Sequence, residues 1–127
     1  MIRILIAEDD YDVSQLFKHV LLQKGYSVVT VSDGREALEA MNKEKFDLLI
    51  SDVMMPVMDG FELVRTMRES NDQTPVLMIT AKDAFDDMQE GFLSGTDDYM
   101  VKPINVNEML LRVGALLRRA KINNERK

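Results

Sequence analysis

Five short apolar runs, separated by stretches of helical periodicity, constrain this chain more than any other feature. They are Ile2 to Ala7, Tyr26 to Val31, Leu48 to Ile50, Pro75 to Thr80 and Asp98 to Val101, each the length of a strand rather than a helix. Between them, apolar residues recur every three or four positions. Val13, Leu16, Phe17, Val20 and Leu21 give a first helix its apolar face, and Gly25 closes it. Ala37, Leu38 and Met41 give a second after the turn at Asp33-Gly34. Phe61, Val64 and Met67 give a third that fades at Ser70-Asn71-Asp72, and Met109, Val113 and Leu116 give a last one over about 105–120. A further helix, about 84–94, has only a thin apolar set, Phe85, Met88 and Phe92, with Asp86, Asp87 and Glu90. Its internal Gly91 costs about 1 kcal/mol relative to alanine, so it is expected to be the least stable element and a candidate for movement. Strands that alternate with helices make βαβ units, hence a parallel sheet covered by helices on both faces.

In such a sheet the C-terminal strand ends share one edge, where open α/β sheets place their ligands. Here those ends carry Glu8-Asp9, Asp52, Thr80 and Lys102. Taken alone, an acid after a strand is better read as a turn or capping residue. Four strand ends bringing acids, an acid, a hydroxyl and an ammonium to one edge favour a site. Carboxylates brought together need protonation or a cation. Oxygen donors without His or Cys favour a hard ion, and a small carboxylate set suits Mg²⁺ better than Ca²⁺. Lys102 would counter a phosphoryl oxygen, Thr80 would donate to another, and Asp52 could accept the group covalently. The expectation is an aspartyl phosphate at Asp52.

Composition narrows the alternatives. With 22 acidic residues against 16 basic, net −6, the chain is ill suited to gripping a polyanion itself. It has no cysteine, so no disulfide framework or thiolate metal site. No stretch has the length of a membrane span, and the apolar start is too short for a signal peptide. A soluble, cytoplasmic chain with no membrane partner is expected. The ten methionines read as adaptable core filler. His19 has no ligand-spaced neighbour and reads as structural or exposed.

The combination Glu8-Asp9, Asp52 within Ser-Asp-Val-Met-Met-Pro-Val-Met-Asp-Gly, Thr80-Ala81, and Gly-Thr-Asp-Asp-Tyr-Met-Val-Lys-Pro at 95–103 resembles the receiver domain of bacterial two-component response regulators. The likeness runs from Ile4 to about Arg119 and is closest to the DNA-binding, winged-helix (OmpR/PhoB-like) branch. It implies a flavodoxin-like fold, a five-stranded parallel sheet in the order 2-1-3-4-5 flanked by five helices. A receiver domain would occupy 1–120, with 121–127 a frayed tail or the start of a linker. The resemblance makes Asp52 the phosphoacceptor, loaded from a sensor histidine kinase. It makes Glu8, Asp9 and Asp52 the Mg²⁺ ligands, helped by the backbone carbonyl of Met54. Thr80 and Tyr99 become a switch pair, and Lys102, followed by a cis Pro103, the phosphate-binding lysine. Met54 and Lys82 would tune the phosphoryl lifetime. Phosphorylation and dephosphorylation are self-catalysed in the family, which acts as switches rather than metabolic enzymes.

The same resemblance gives Asp97, Asp98, Glu108, Arg112 and Arg119 as the face of a phosphorylation-favoured homodimer. On charge spacing alone, a solvated, salt-bridged surface is the better reading. DNA would be met only through a C-terminal domain absent from this chain. Three departures stand out: Glu8 where many receivers have Asp, Ile104 where the branch often has Phe, and Met88 where its dimer network often has a basic residue.

Other protein classes fit less well. A phosphatase of the haloacid-dehalogenase type needs a second Asp two residues after the nucleophile, and Met54 stands there. A flavodoxin-like carrier needs a hydroxyl- and glycine-rich phosphate loop after the first strand, where Glu8-Asp9-Asp10 would repel phosphate. A degenerate receiver would lack Asp52, Thr80 or Lys102, and all three are present.

Overall fold

The computed structural model describes residues 1–81 and 95–125, apart from the side chains of 122–125. Strands β1 (Arg3–Ala7), β2 (Ser27–Val31), β3 (Leu48–Asp52), β4 (Val76–Thr80) and β5 (Asp98–Val101) form one parallel sheet in the order β2-β1-β3-β4-β5. The sheet is the one the alternating pattern and the resemblance predict. Helices α1 (Tyr11–Gln23), α2 (Gly34–Lys43), α3 (Gly60–Glu69) and α4 (Val106–Glu125) are those among the described residues. The helix expected over 84–94 lies outside them, as do Lys82 and Met88.

The near-continuous apolar runs follow from burial on both sheet faces. Alternate residues of β1, Ile4 and Ile6, join Leu48, Ile50, Leu77, Ile79 and Met100 in one layer. Phe17 and Leu21 of α1 and Met109, Val113 and Leu116 of α4 cover it. The intervening residues, Leu5 and Ala7, join Leu49, Val76, Met78 and Tyr99 beneath Ala37 of α2 and Phe61, Val64 and Met67 of α3. Four methionines, Met67, Met78, Met100 and Met109, are core filler as expected, whereas Met54 is exposed.

Two local expectations are corrected. Leu16 is exposed, and Ser14 takes its place in the buried face of α1. At 100° per residue, Leu16 lies about 100° round from Phe17, outside the arc that Ser14, Phe17 and Leu21 share. The C-terminal helix reaches Glu125 rather than stopping at about Ala120. No glycine or proline follows Ala120 to end it.

Three helices start on aspartate caps, a device that satisfies the free N–H groups of a first turn. Asp10 accepts from the Val13 N–H at 3.2 Å, Asp33 from Glu36 at 2.8 Å and Asp59 from Glu62 at 2.8 Å. Asp10, next in sequence to Glu8 and Asp9, is thus engaged in capping α1. At the start of α3, Gly60 donates to the Val53 carbonyl at 2.8 Å. A Cβ there would collide with the Asp52 carbonyl oxygen and stand 2.9 Å from Met78 Sδ. Since the backbone oxygen cannot move without moving the site, Gly60→Ala is expected to cost about 1–3 kcal/mol in urea unfolding.

Candidate functional site

Strand register assembles the site. Ala7 pairs with Ser51, Asp52 with Ile79, and Thr80 with Val101. Glu8, Asp52, Thr80 and Lys102 therefore leave four adjacent strands at the same edge. Glu8, Asp52 and Thr80 are 4%, 5% and 1% exposed. Lys102 Nζ donates to Asp52 Oδ2 at 2.8 Å and stands 3.7 Å from Glu8 Oε1. The Met54 N–H donates to Asp52 Oδ1 at 3.3 Å, and the Asp10 N–H to Glu8 Oε2 at 3.2 Å. The Lys102–Pro103 peptide is cis.

Glu8, exposed Asp9 and Asp52 each offer a carboxylate oxygen, and these oxygens lie within 4.8 Å of one another. Three carboxylates face a single ammonium, so the cluster retains excess negative charge. Burial pushes the Glu8 carboxyl up to about 7, and the charge of Asp52 adds to this, while the Asp10 N–H and Lys102 oppose it. Burial also works against the charge of Lys102. The Asp52 hydrogen bond and the charges of Asp52, Glu8 and Asp9 outweigh that effect and raise the Lys102 pKa.

Among the described residues, Glu8 Oε1, Thr80 Oγ1 and Thr96 Oγ1 are buried side-chain oxygens without a hydrogen-bond partner. Leaving such an atom unpaired costs about 1–3 kcal/mol, and two of the three lie on this edge. An all-oxygen acidic set with a spare buried acceptor suits a hard divalent cation. Thr80 has a spare donor for an anionic group beside it.

Tyr99 is buried in the layer beneath α2 and α3. The residues expected on a dimer face divide in two. Arg112 holds Asp98 with bonds of 2.9 and 3.0 Å and Glu108 at 3.0 Å, while Arg119 is exposed on the same helix. Asp97 turns instead to Arg68 of α3 at 3.0 Å and accepts the Val76 N–H at 2.8 Å.

Arg68 was not singled out from the sequence. Its guanidinium also donates to the carbonyls of Asp72, Thr74 and Gly95, tying the end of α3 to the entries of β4 and β5. One arginine at a helix C-terminus gives no sign of this, because every partner but Asp97 is a backbone oxygen.

An acidic edge on a doubly wound parallel sheet, with a lysine and a hydroxyl from neighbouring strands, defines an α/β protein with its charged groups gathered where such sheets place their ligands. The chain belongs to the response regulator receiver domain family, whose model matches residues 4–114. It is 42% identical to the transcriptional regulatory protein RprY of Bacteroides fragilis, over 94% of this chain and 51% of that protein. With the alkaline phosphatase synthesis transcriptional regulatory protein PhoP of Bacillus subtilis it shares 42% identity, over 94% of this chain and 50% of that one. The chain thus spans about half the length of these relatives. Among solved structures it is similar to the Francisella response regulator 1452 receiver domain, with TM-score 0.88 and 35% identity, covering 94% of this chain and 98% of that one. Chemotaxis response regulator CheY4 of Vibrio cholerae gives TM-score 0.85 and 39% identity over 91% and 98%. No helix among the described residues is long and apolar enough to cross a membrane.

The raised Glu8 value has a consequence for stability. Because its pKa is higher folded than unfolded, the native state binds this proton more tightly. That contribution is complete below about 4.5, the ordinary value of a glutamate carboxyl, and is lost as pH rises through about 7. In metal-free urea unfolding, the wild type should therefore lose stability between pH 5 and 7 relative to Glu8→Gln, by at most about 1.4 kcal/mol per pH unit.

Proposed function

We propose that this receiver is a phosphorylation-activated switch whose acceptor is Asp52. The observation that carries the reading is the ion pair of Lys102 with buried Asp52 beside the unpartnered oxygens of Glu8 and Thr80. The donor is a phosphohistidine of a sensor histidine kinase, met in the cytoplasm. An Asp52 carboxylate oxygen attacks phosphorus. The P–N bond breaks, and its electron pair leaves on the imidazole, which takes up a proton. Lys102, already 2.8 Å from Oδ2, stays to counter a phosphoryl oxygen, and the Thr80 hydroxyl turns to donate to another. Glu8, Asp9, Asp52 and the Met54 carbonyl would hold Mg²⁺, which supplies neutralisation of the phosphoryl oxygens. The domain itself catalyses gain and loss of the group, as a switch and not as a metabolic enzyme.

Movement of Thr80 leaves space that Tyr99, three residues before Lys102, fills by turning further inward. This alters the face built from β5 and α4. Asp98, Glu108, Arg112 and Arg119 on that face then favour a homodimer, with Asp97 contributing once it leaves Arg68. The output is control of transcription through a DNA-binding domain beyond these residues. The relatives' greater length and their names as transcriptional regulators support this reading. Residues 1–120 form the receiver, and the segment from 121 leads toward that domain.

Intact mass after incubation with acetyl phosphate, with and without Mg²⁺, tests the acceptor. One phosphoryl group should be gained only with Mg²⁺ and lost in Asp52→Asn. Sizing of the same samples should show dimer only where the group is present. A folded wild type that gains nothing with Mg²⁺, from acetyl phosphate or from a phosphorylated kinase, would overturn the reading.

A further inference from the structure

At the end of β3 one peptide group outruns its ladder. Leu49 and Val53 donate to the Pro75 and Ile79 carbonyls of β4 at 2.9 Å each. Successive residues of a parallel strand address opposite neighbours, so the Asp52 backbone addresses β1. There the pairing of β1 with β3 runs only as far as Ala7 opposite Ser51. The Glu8 N–H turns to the Val31 carbonyl of β2 at 3.0 Å, and the rung that the Asp52 carbonyl would take lies beyond β1.

The Ser51 hydroxyl takes its place. It donates to the Asp52 carbonyl at 2.9 Å in a buried bond, and Ser51 itself is 0% exposed. Alternation along the strand sets Ser51 on the face of Leu49 and Val53, in the apolar layer beneath α2 and α3. Packing alone would favour another apolar side chain at such a position. The same carbonyl oxygen is confined by Gly60, where a Cβ would collide with it. On the far side of the peptide bond, the Val53 N–H is held by Ile79. From this peptide the Asp52 carboxylate reaches Lys102 at 2.8 Å, and the Met54 N–H returns to Asp52 Oδ1 at 3.3 Å.

We infer that Ser51 is a positioning residue: its hydroxyl replaces the missing rung from β1 and fixes the plane of the Asp52–Val53 peptide, and with it the aim of the Asp52 carboxylate and the Met54 backbone. The inference deepens the acceptor reading, on which its consequences for Mg²⁺ and phosphoryl transfer rest. Alanine at 51 would leave a buried carbonyl unpaired, and the peptide would turn to find another donor. Threonine would keep the hydroxyl.

Ser51→Ala and Ser51→Thr in the full chain supply the test. Val113→Ala, in the opposite layer, controls for loss of stability alone. The quantities read are urea stability, the Asp52 carbonyl carbon shift by NMR, amide exchange at Met54, Mg²⁺ affinity by NMR titration, and the rate of phosphorylation by acetyl phosphate. In Ser51→Ala the carbonyl shift should move as for a broken hydrogen bond. Met54 exchange should quicken about fivefold beyond any global loss of stability, the equivalent of one hydrogen bond. Mg²⁺ affinity and phosphorylation rate should fall by a similar factor. Ser51→Thr should keep wild-type values of all four even where its extra methyl lowers stability, and Val113→Ala should lower stability alone. If the threonine variant does not fold, Ser51→Cys replaces it, and its weak thiol donor should give values between alanine and wild type. Wild-type Met54 exchange in Ser51→Ala overturns the inference. So does no recovery in the variant that keeps a donor, equal changes in Val113→Ala, or unchanged affinity and rate in a protein that takes both ligands. If wild type takes neither ligand while the Asp52 carbonyl and Met54 respond as described, the acceptor reading fails and the positioning by Ser51 stands.

Discussion

Lys102 and Asp52 leave strands that are not neighbours, and the ion pair between them spans the end of β4. It requires β3, β4 and β5 to end level with one another, with Thr80 at the end of the strand between them. The pair is also incomplete compensation, because Glu8 and Asp9 bring further negative charge and only one ammonium answers it. Glu8 meets this excess by holding its proton more tightly, its carboxyl lifted to about 7. A cation at the same place would remove the need for that proton. The chemistry proposed for the edge grows out of this imbalance.

The loops around the site are held by close backbone approaches. Gly60 lets α3 begin against the Asp52 carbonyl, and Gly34 lets α2 begin against Met58. Side chains at either place would push the loop between β3 and α3 away from Asp52. At the opposite sheet edge, Arg68 performs a similar task with hydrogen bonds, anchoring the entries to β4 and β5. The sheet is thus braced at both ends of β5, by Arg68 where it begins and by the Asp52–Lys102 pair where it finishes.

Much of this was legible in the chain. Strand runs such as Leu48 to Ile50 and Pro75 to Thr80 are short and apolar, because both faces of a parallel sheet must be buried. The candidate site was legible for the same reason, since parallel strands make "end of a strand" a shared location for Glu8, Asp52, Thr80 and Lys102. Leu16 was misplaced because the helical pattern treats every apolar residue as buried, whereas the arc facing the sheet has a definite width. Arg68 was missed because its partners are mainly carbonyl oxygens, which every residue has.

Periodicity and strand-end chemistry, both local properties, determined the fold class and which four strand ends bring charged or polar groups to one edge, while the strand order came from the resemblance. Tertiary structure alone decided how those ends pair: that Asp10 caps a helix, that Asp97 leaves Asp98 and turns to Arg68, and that Lys102 chooses Asp52 over Glu8. The last of these outcomes depends on distances of 2.8 and 3.7 Å between residues 50 and 94 positions apart. At that scale, register and burial choose the partner, and neither is written in any single stretch of sequence.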